Sequence, residues 1–171
     1  VISISQEAAK SCIQVFFYRS KQNWGNQSFF PTHDESHTAE EVLTSFIMQF
    51  YENKNAPSEI LVNKKIKNLN LVKLALEKKE KKIISIKIAT KGNALKLSKM
   101  AEKNAKEALT RRIFESETNT KLLDQVAEKF KLEILPRIIE VYDNSHIQGA
   151  HSVGALISFS TEGFVKKRYR K

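Results

Sequence analysis

The chain has 171 residues, 41% of them apolar, with 29 Lys and Arg against 19 Asp and Glu for a net charge of +10. That length suits one complete domain plus part of another, and the apolar share supports a folded core rather than a disordered tail. There is no signal-like leader or long uncharged apolar run, and the single cysteine, Cys12, excludes an internal disulfide framework, so an intracellular, cytoplasmic protein is expected.

Strand-like alternation opens the chain at residues 1–5 and continues at Ser11 to Arg19, where Cys12 sits in an apolar run and reads as a buried residue. A turn is expected through Ser20 to Gly25, then a short strand from Gln27 to Phe30, giving an antiparallel meander of three strands. Trp24 in that turn either stacks a nucleobase or packs under the sheet edge. Pro31 ends the meander. His33, Asp34 and His37 imitate a metal cluster, but their place just before a helix start favours capping. Thr38-Ala39-Glu40-Glu41 has the form of a capping box, and Val42, Leu43, Phe46, Ile47 and Phe50 repeat at helical spacing up to about Asn53.

A strand at Glu59 to Val62, a helix from Leu69 to Lys79 and a strand from Ile83 to Ile88 follow. A long helix is then expected from about Ala94 to Phe130, with a break near Ser116 to Thr120. The order βββαβαβα is that of an RNase H-like α/β (α+β) domain, a mixed sheet with flanking helices. After Pro136, strands are expected at Ile138 to Tyr142, Val153 to Ser160 and Phe164 to Tyr169, the first three strands of a second RNase H-like unit. The expected division is 1–92 for the first unit, 93–135 for a helical connector and 136–171 for the second. Lysines crowd residues 63–106; such a run is either a phosphate-binding surface or a solvated face.

Two-metal phosphodiester cleavage needs several converging carboxylates. The opening strand, residues 12–18 and residues 60–62 carry none, so the first unit is expected to be catalytically silent. In the second unit Asp143 closes the run Arg137-Ile138-Ile139-Glu140-Val141-Tyr142 and precedes Asn144-Ser145-His146, which reads either as a metal-anchoring strand end or as turn chemistry. Glu140, three residues earlier in a strand, would face away from Asp143. His146 is a weaker metal candidate, and Arg168, Arg170 and Lys171 are candidate phosphate contacts.

The segment Arg137 to Gly149, with Val153-Gly154-Ala155-Leu156-Ile157, Glu162-Gly163 and Tyr169-Arg170-Lys171, resembles the start of the endonuclease domain of the UvrC family, the incision subunits of bacterial nucleotide excision repair. Upstream, Val15 to Arg19, Gln22 to Asn26, Phe30-Pro31 with His33-Asp34, and Asn104-Ala105 with Ala108 to Arg112 resemble the family's central part, so the likeness covers essentially the whole chain. It implies an internal piece of a longer protein, preceded by a GIY-YIG nuclease domain and a UvrB-binding segment. It also implies that Asp143 is the first catalytic aspartate of 5′ incision, that Mg²⁺ or Mn²⁺ is required in the complete domain, that DNA, UvrB and, in the pathway, UvrA are partners, and that the remaining ligands lie past Lys171, leaving this piece inactive alone. Residues 89–95 depart from a basic turn common in the family, with Lys91 and Lys96 as the nearest replacements. The competing class is a non-catalytic DNA-binding or protein-docking module on the same scaffold.

Overall fold

A computed structural model describes residues 1–20, 22–147 and 150–171, the side chains of 146, 147 and 150–152 excepted. The chain divides into two compact units, Val1–Thr110 and Arg111–Lys171.

In the first unit, strands β1 (Ile2–Glu7), β2 (Lys10–Arg19) and β3 (Gln22–Phe29) precede helix α1 (Ala39–Glu52), strand β4 (Glu59–Val62), helix α2 (Leu69–Glu80), strand β5 (Ser85–Ile88) and the start of helix α3 (Gly92–Lys129). The five strands form one sheet in the order β3-β2-β1-β4-β5, antiparallel across β1–β2 and β2–β3 and parallel across β1–β4 and β4–β5. This is the RNase H-like arrangement: local hairpins build one half of the sheet, and helical crossovers are needed to lay parallel strands beside it. Alternating strand residues Ile2, Ile4, Ile13 and Val15 meet the stripe Val42, Leu43, Phe46 and Ile47 of α1 and Val72 and Leu76 of α2 in one core. Cys12 is fully buried.

The capping box forms as expected: Glu41 N–H donates to Thr38 Oγ1 at 3.3 Å and Thr38 N–H to Glu41 Oε2 at 2.8 Å. Lys67 Nζ joins the same carboxylate at 2.7 Å, and this bond, with those from Thr38, holds the Glu41 carboxyl down at about 2. The expected turn through Ser20 to Gly25 is overturned. Pairs Arg19↔Gln22 and Tyr18↔Asn23 extend the hairpin almost to its tip, and a bulge between Phe16 and Tyr18 absorbs the mismatch in register. Ser20, next to the last paired residue of β2, has φ 47, a conformation usually left to glycine.

Helix α3 runs unbroken through the expected interruption. Thr118 and Thr120 turn their hydroxyls back onto the carbonyls of Phe114 and Ser116, at 3.0 and 2.9 Å, so polar side chains that could have ended the helix stay within it. Its first half belongs to the first unit: Ala101, Ala105, Ala108 and Leu109 are buried, Ser98 O accepts from Ser3 Oγ at 3.1 Å, and Glu102 Oε1 accepts from Asn63 Nδ2 at 3.0 Å. The compact unit therefore extends to Thr110, past the boundary at residue 92 expected from the strands.

The second unit holds the rest of α3 and a three-stranded antiparallel sheet of β6 (Ile138–Ile147), β7 (Ala150–Ser160) and β8 (Gly163–Phe164), in the order β6-β7-β8. Asn119 Nδ2 donates to Thr161 O at 3.2 Å and Arg112 Nη2 to Glu162 Oε2 at 2.7 Å, tying the helix to the β7–β8 turn. The expected third strand through Tyr169 is cut short. Lys166–Arg168 form a single 3₁₀ turn, and only Arg170 returns to the sheet, bridging to Leu156.

Candidate functional site

Strand β6 is longer than its β-branched core, because β7 pairs with it from Ile138↔Ser160 through Ser145↔Val153 and again at Ile147↔Ala150. Asp143 therefore does not end a strand. It lies opposite Ala155 within the ladder, where it cannot serve as a turn cap. Alternation puts Ile139, Val141, Asp143 and Ser145 on one face with their partners Phe159, Ile157, Ala155 and Val153. Most of that face is apolar and open: Val141, Val153 and Ile157 are exposed, and Phe164, packed edge-on against Phe159 at 5.3 Å, is 65% exposed.

Glu140 stands on the other face, as the offset of three requires. Its Oε1 accepts from Arg168 Nη2 at 2.7 Å, and Tyr142 Oη donates to its other oxygen at 3.4 Å. The only acid three residues from Asp143 is thus already neutralised, and nothing among the described residues bonds or ion-pairs with Asp143. Asp143 is exposed and water can solvate its carboxylate, which leaves a hard oxygen ligand open to a divalent ion with no cation competing beside it. It is one ligand. No group of three or more His, Cys, Asp or Glu among the described residues is placed to hold an ion. The side chain of His146 lies outside the described residues.

Of the basic candidates, Arg168 is engaged by Glu140, Arg170 donates through Nη1 to the carbonyls of Lys167 and Tyr169 at 3.1 and 2.8 Å, and Lys171 is exposed at the end of the chain. In the first unit the resemblance to a metal cluster dissolves. His33 bonds Asp34 O through Nδ1 and Ser11 Oγ through Nε2, Asp34 O also accepts from His37 N–H, and His37 and Asp34 side chains approach only to 4.0 Å at an exposed position. These residues anchor the loop that leads into α1.

Sequence reasoning missed a feature on the first unit. Trp24 is on β3 and 63% exposed rather than tucked under an edge, and the Arg19 guanidinium lies 5.3 Å from its ring centroid. The pair forms because the hairpin continues where a turn was expected: Arg19 pairs with Gln22, and Trp24, two residues farther along β3, is its diagonal neighbour on the same face.

Residues 1–112 match the family model described as UvrC Ribonuclease H-like domain, and residues 127–171 that of the UvrC RNAse H endonuclease domain. The whole chain aligns with UvrABC system protein C of Maricaulis maris at 46% identity and of a Ruegeria species (strain TM1040) at 44%, covering 27% of each, and of Brucella abortus (strain 2308) at 43%, covering 28%. The chain thus spans about a quarter of the length of the curated relatives it matches. No solved structure matches it. Among the described residues, no helix is long and apolar enough to cross a membrane.

Proposed function

Because the chain belongs to the UvrC family of repair endonucleases, we propose that it is the central part of an excision-repair incision subunit acting on damaged DNA in the bacterial cytoplasm, together with UvrB and, in the pathway, UvrA. The observation that carries the reading is Asp143: a carboxylate on a rigid ladder, unpaired among the described residues, inside the stretch matched to the endonuclease domain. In this reading the first unit, with the first half of α3 packed into it, is a silent RNase H-like scaffold, the second half of α3 is the connector and residues 136–171 are the opening of the endonuclease domain.

Asp143 would be one ligand of a divalent ion, Mg²⁺ or Mn²⁺, which when bound would supply an activated water for 5′ incision; the further ligands would come from elsewhere in the longer protein, and the 171-residue piece alone would not cut. His146 is a secondary ligand candidate. Arg168, held by Glu140 on the face opposite Asp143, would exchange Glu140 for a phosphate, with Arg170, bridged to Leu156, and Lys171 as further phosphate contacts. The alternative, a DNA-binding or docking module without catalysis, is favoured by the lack of a complete acidic cluster among the described residues.

The test is Asp143→Ala in the longer protein, with the two incisions assayed separately. Loss of a metal ligand removes several kcal/mol of transition-state stabilisation, so 5′ incision should fall on the order of 10³-fold while 3′ incision persists. Undiminished 5′ cutting would leave the docking-module reading in possession.

A further inference from the structure

The exposed surface at the outer end of α1 and β2 combines ring faces with cations. Phe17 of β2 stacks on Phe50 of α1, with centroids 6.4 Å apart and planes 29° apart. Lys54, just past the helix, places its ammonium 4.0 Å from the Phe50 centroid and 5.8 Å from that of Phe29. Arg19, two residues beyond Phe17, covers Trp24. Phe17, Arg19, Phe50 and Lys54 line a groove of about 980 Å³, with Lys82 also at its wall. The one acid lining it, Glu59, is paired with Lys87.

The groove is built rather than incidental. Lys79 of α2 donates to the carbonyls of Tyr51 and Lys54, closing the end of α1, and Glu80 Oε1 accepts from Ala56 N–H at 3.0 Å, pinning the turn that carries Lys54. The backbone bond from Ala56 and the neighbouring Lys79 and Lys82 hold the Glu80 carboxyl below its ordinary range. Two side chains of α2 thus fix the position of a cation that rests on a ring instead of a carboxylate.

We propose that this surface binds single-stranded nucleic acid, with bases stacking on the exposed Trp24 and Phe17 and phosphates meeting Arg19, Lys54 and Lys82, while Phe50, itself stacked on Phe46, backs Phe17 from within. The exposed rings of Trp24 and Phe17 suit unpaired bases, which a duplex keeps stacked inside, and the positive lining together with the net charge of +10 suits a phosphate backbone. An acidic peptide would satisfy the cations but leave the rings without partners. The site belongs to the first unit, whereas Asp143, Arg168, Arg170 and Lys171 belong to the second, and it requires no divalent ion.

Trp24 is the sole tryptophan of the chain and reports on the site directly. With EDTA present, titrating the 171-residue chain with a dT oligomer of about 12 nucleotides should quench the indole fluorescence, and the affinity should fall steeply with salt. By anisotropy of the labelled oligomer, Trp24→Ala should weaken binding about 10-fold, Trp24→Phe should retain most of it, and Arg19→Ala or Lys54→Ala should each weaken it and lower the salt slope by about 1. No binding at low salt, binding without quenching, an unaltered affinity in Trp24→Ala, or equal quenching by polyglutamate or by duplex DNA would each overturn the proposal. Binding through the basic end of the second unit would appear as anisotropy without quenching, so the two sites are told apart in one titration.

Discussion

The two units carry comparable strand chemistry and bury it differently. In the first, α1 and α2 cover alternating residues of a five-stranded sheet, and Ile13, Leu43, Ile47 and Ile84 are fully enclosed. In the second, the face of β6 and β7 that bears Asp143 keeps Val141, Val153 and Ile157 exposed. Among the described residues, the closed sheet has no carboxylate on β2 and only the strand-end Glu7 of β1 and Glu59 of β4, the latter paired with Lys87, whereas β6 of the open sheet carries Glu140 and Asp143 within the ladder. In the reading proposed above the first unit keeps its fold without catalytic acids, since the helices that enclose its sheet pack on apolar residues and not on carboxylates.

Core truncation should break the symmetry between the units most clearly. Leu43→Ala removes a fully buried side chain and should cost about 2–5 kcal/mol, lowering the melting temperature of the first unit. Ile157→Ala, at an exposed site, should cost well under about 1 kcal/mol in the same melt. Equal losses would mean that the second sheet is covered as completely as the first.

The capping box gives a smaller effect confined to the first unit: Thr38→Ala should cost about 1 kcal/mol by thermal or denaturant melting. The same cluster sets an acid response. Lys67 and Thr38 depress the Glu41 carboxyl from 4.5 to about 2, so its contribution is whole above pH 4.5 and is lost as the pH falls toward 2. Glu41→Gln should flatten the melting temperature of the first unit over that window, and an undiminished slope would assign the acid sensitivity to other groups.

Smaller still is the exposed Arg168–Glu140 pair, for which Arg168→Ala should cost about 0.2–1 kcal/mol, less at high salt. Asp143→Asn should change the melting temperature of the 171-residue chain least, within about 0.5 kcal/mol, because no bond to it is present among the described residues. A clear destabilisation would make Asp143 a structural residue and weaken its assignment as a metal ligand.

Periodicity made α1 and its cap legible, since Thr38, Glu41 and the stripe from Val42 to Phe50 are local signals that tertiary packing reinforces. The succession of strands and helices along the first unit followed from equally local runs, whereas their order in the sheet did not. Illegible were features set by pairing partners: the reach of β6 to Ile147 depends on β7, and the extension of β3 depends on a bulge in β2 and on Ser20 taking a left-handed conformation. Asp143 was visible as a residue type, but its place on a face shared with Val141 and Ile157 required the register. The Arg19–Trp24 pair was hidden for the same reason.

The parallel pairing of β1 with β4, through Ile2↔Val62, has a kinetic consequence. The β1–β2–β3 meander closes short loops, whereas β4 can join β1 only after the chain between them has been gathered in, at a loop-closure cost that is met before any contact rewards it. We therefore expect the hairpins to gain protection from hydrogen exchange early in refolding and the β1–β4 seam late, so that an Ile60→Val change on β4 would speed unfolding far more than it slows folding; the opposite partition in a chevron plot would place that seam in the folding nucleus.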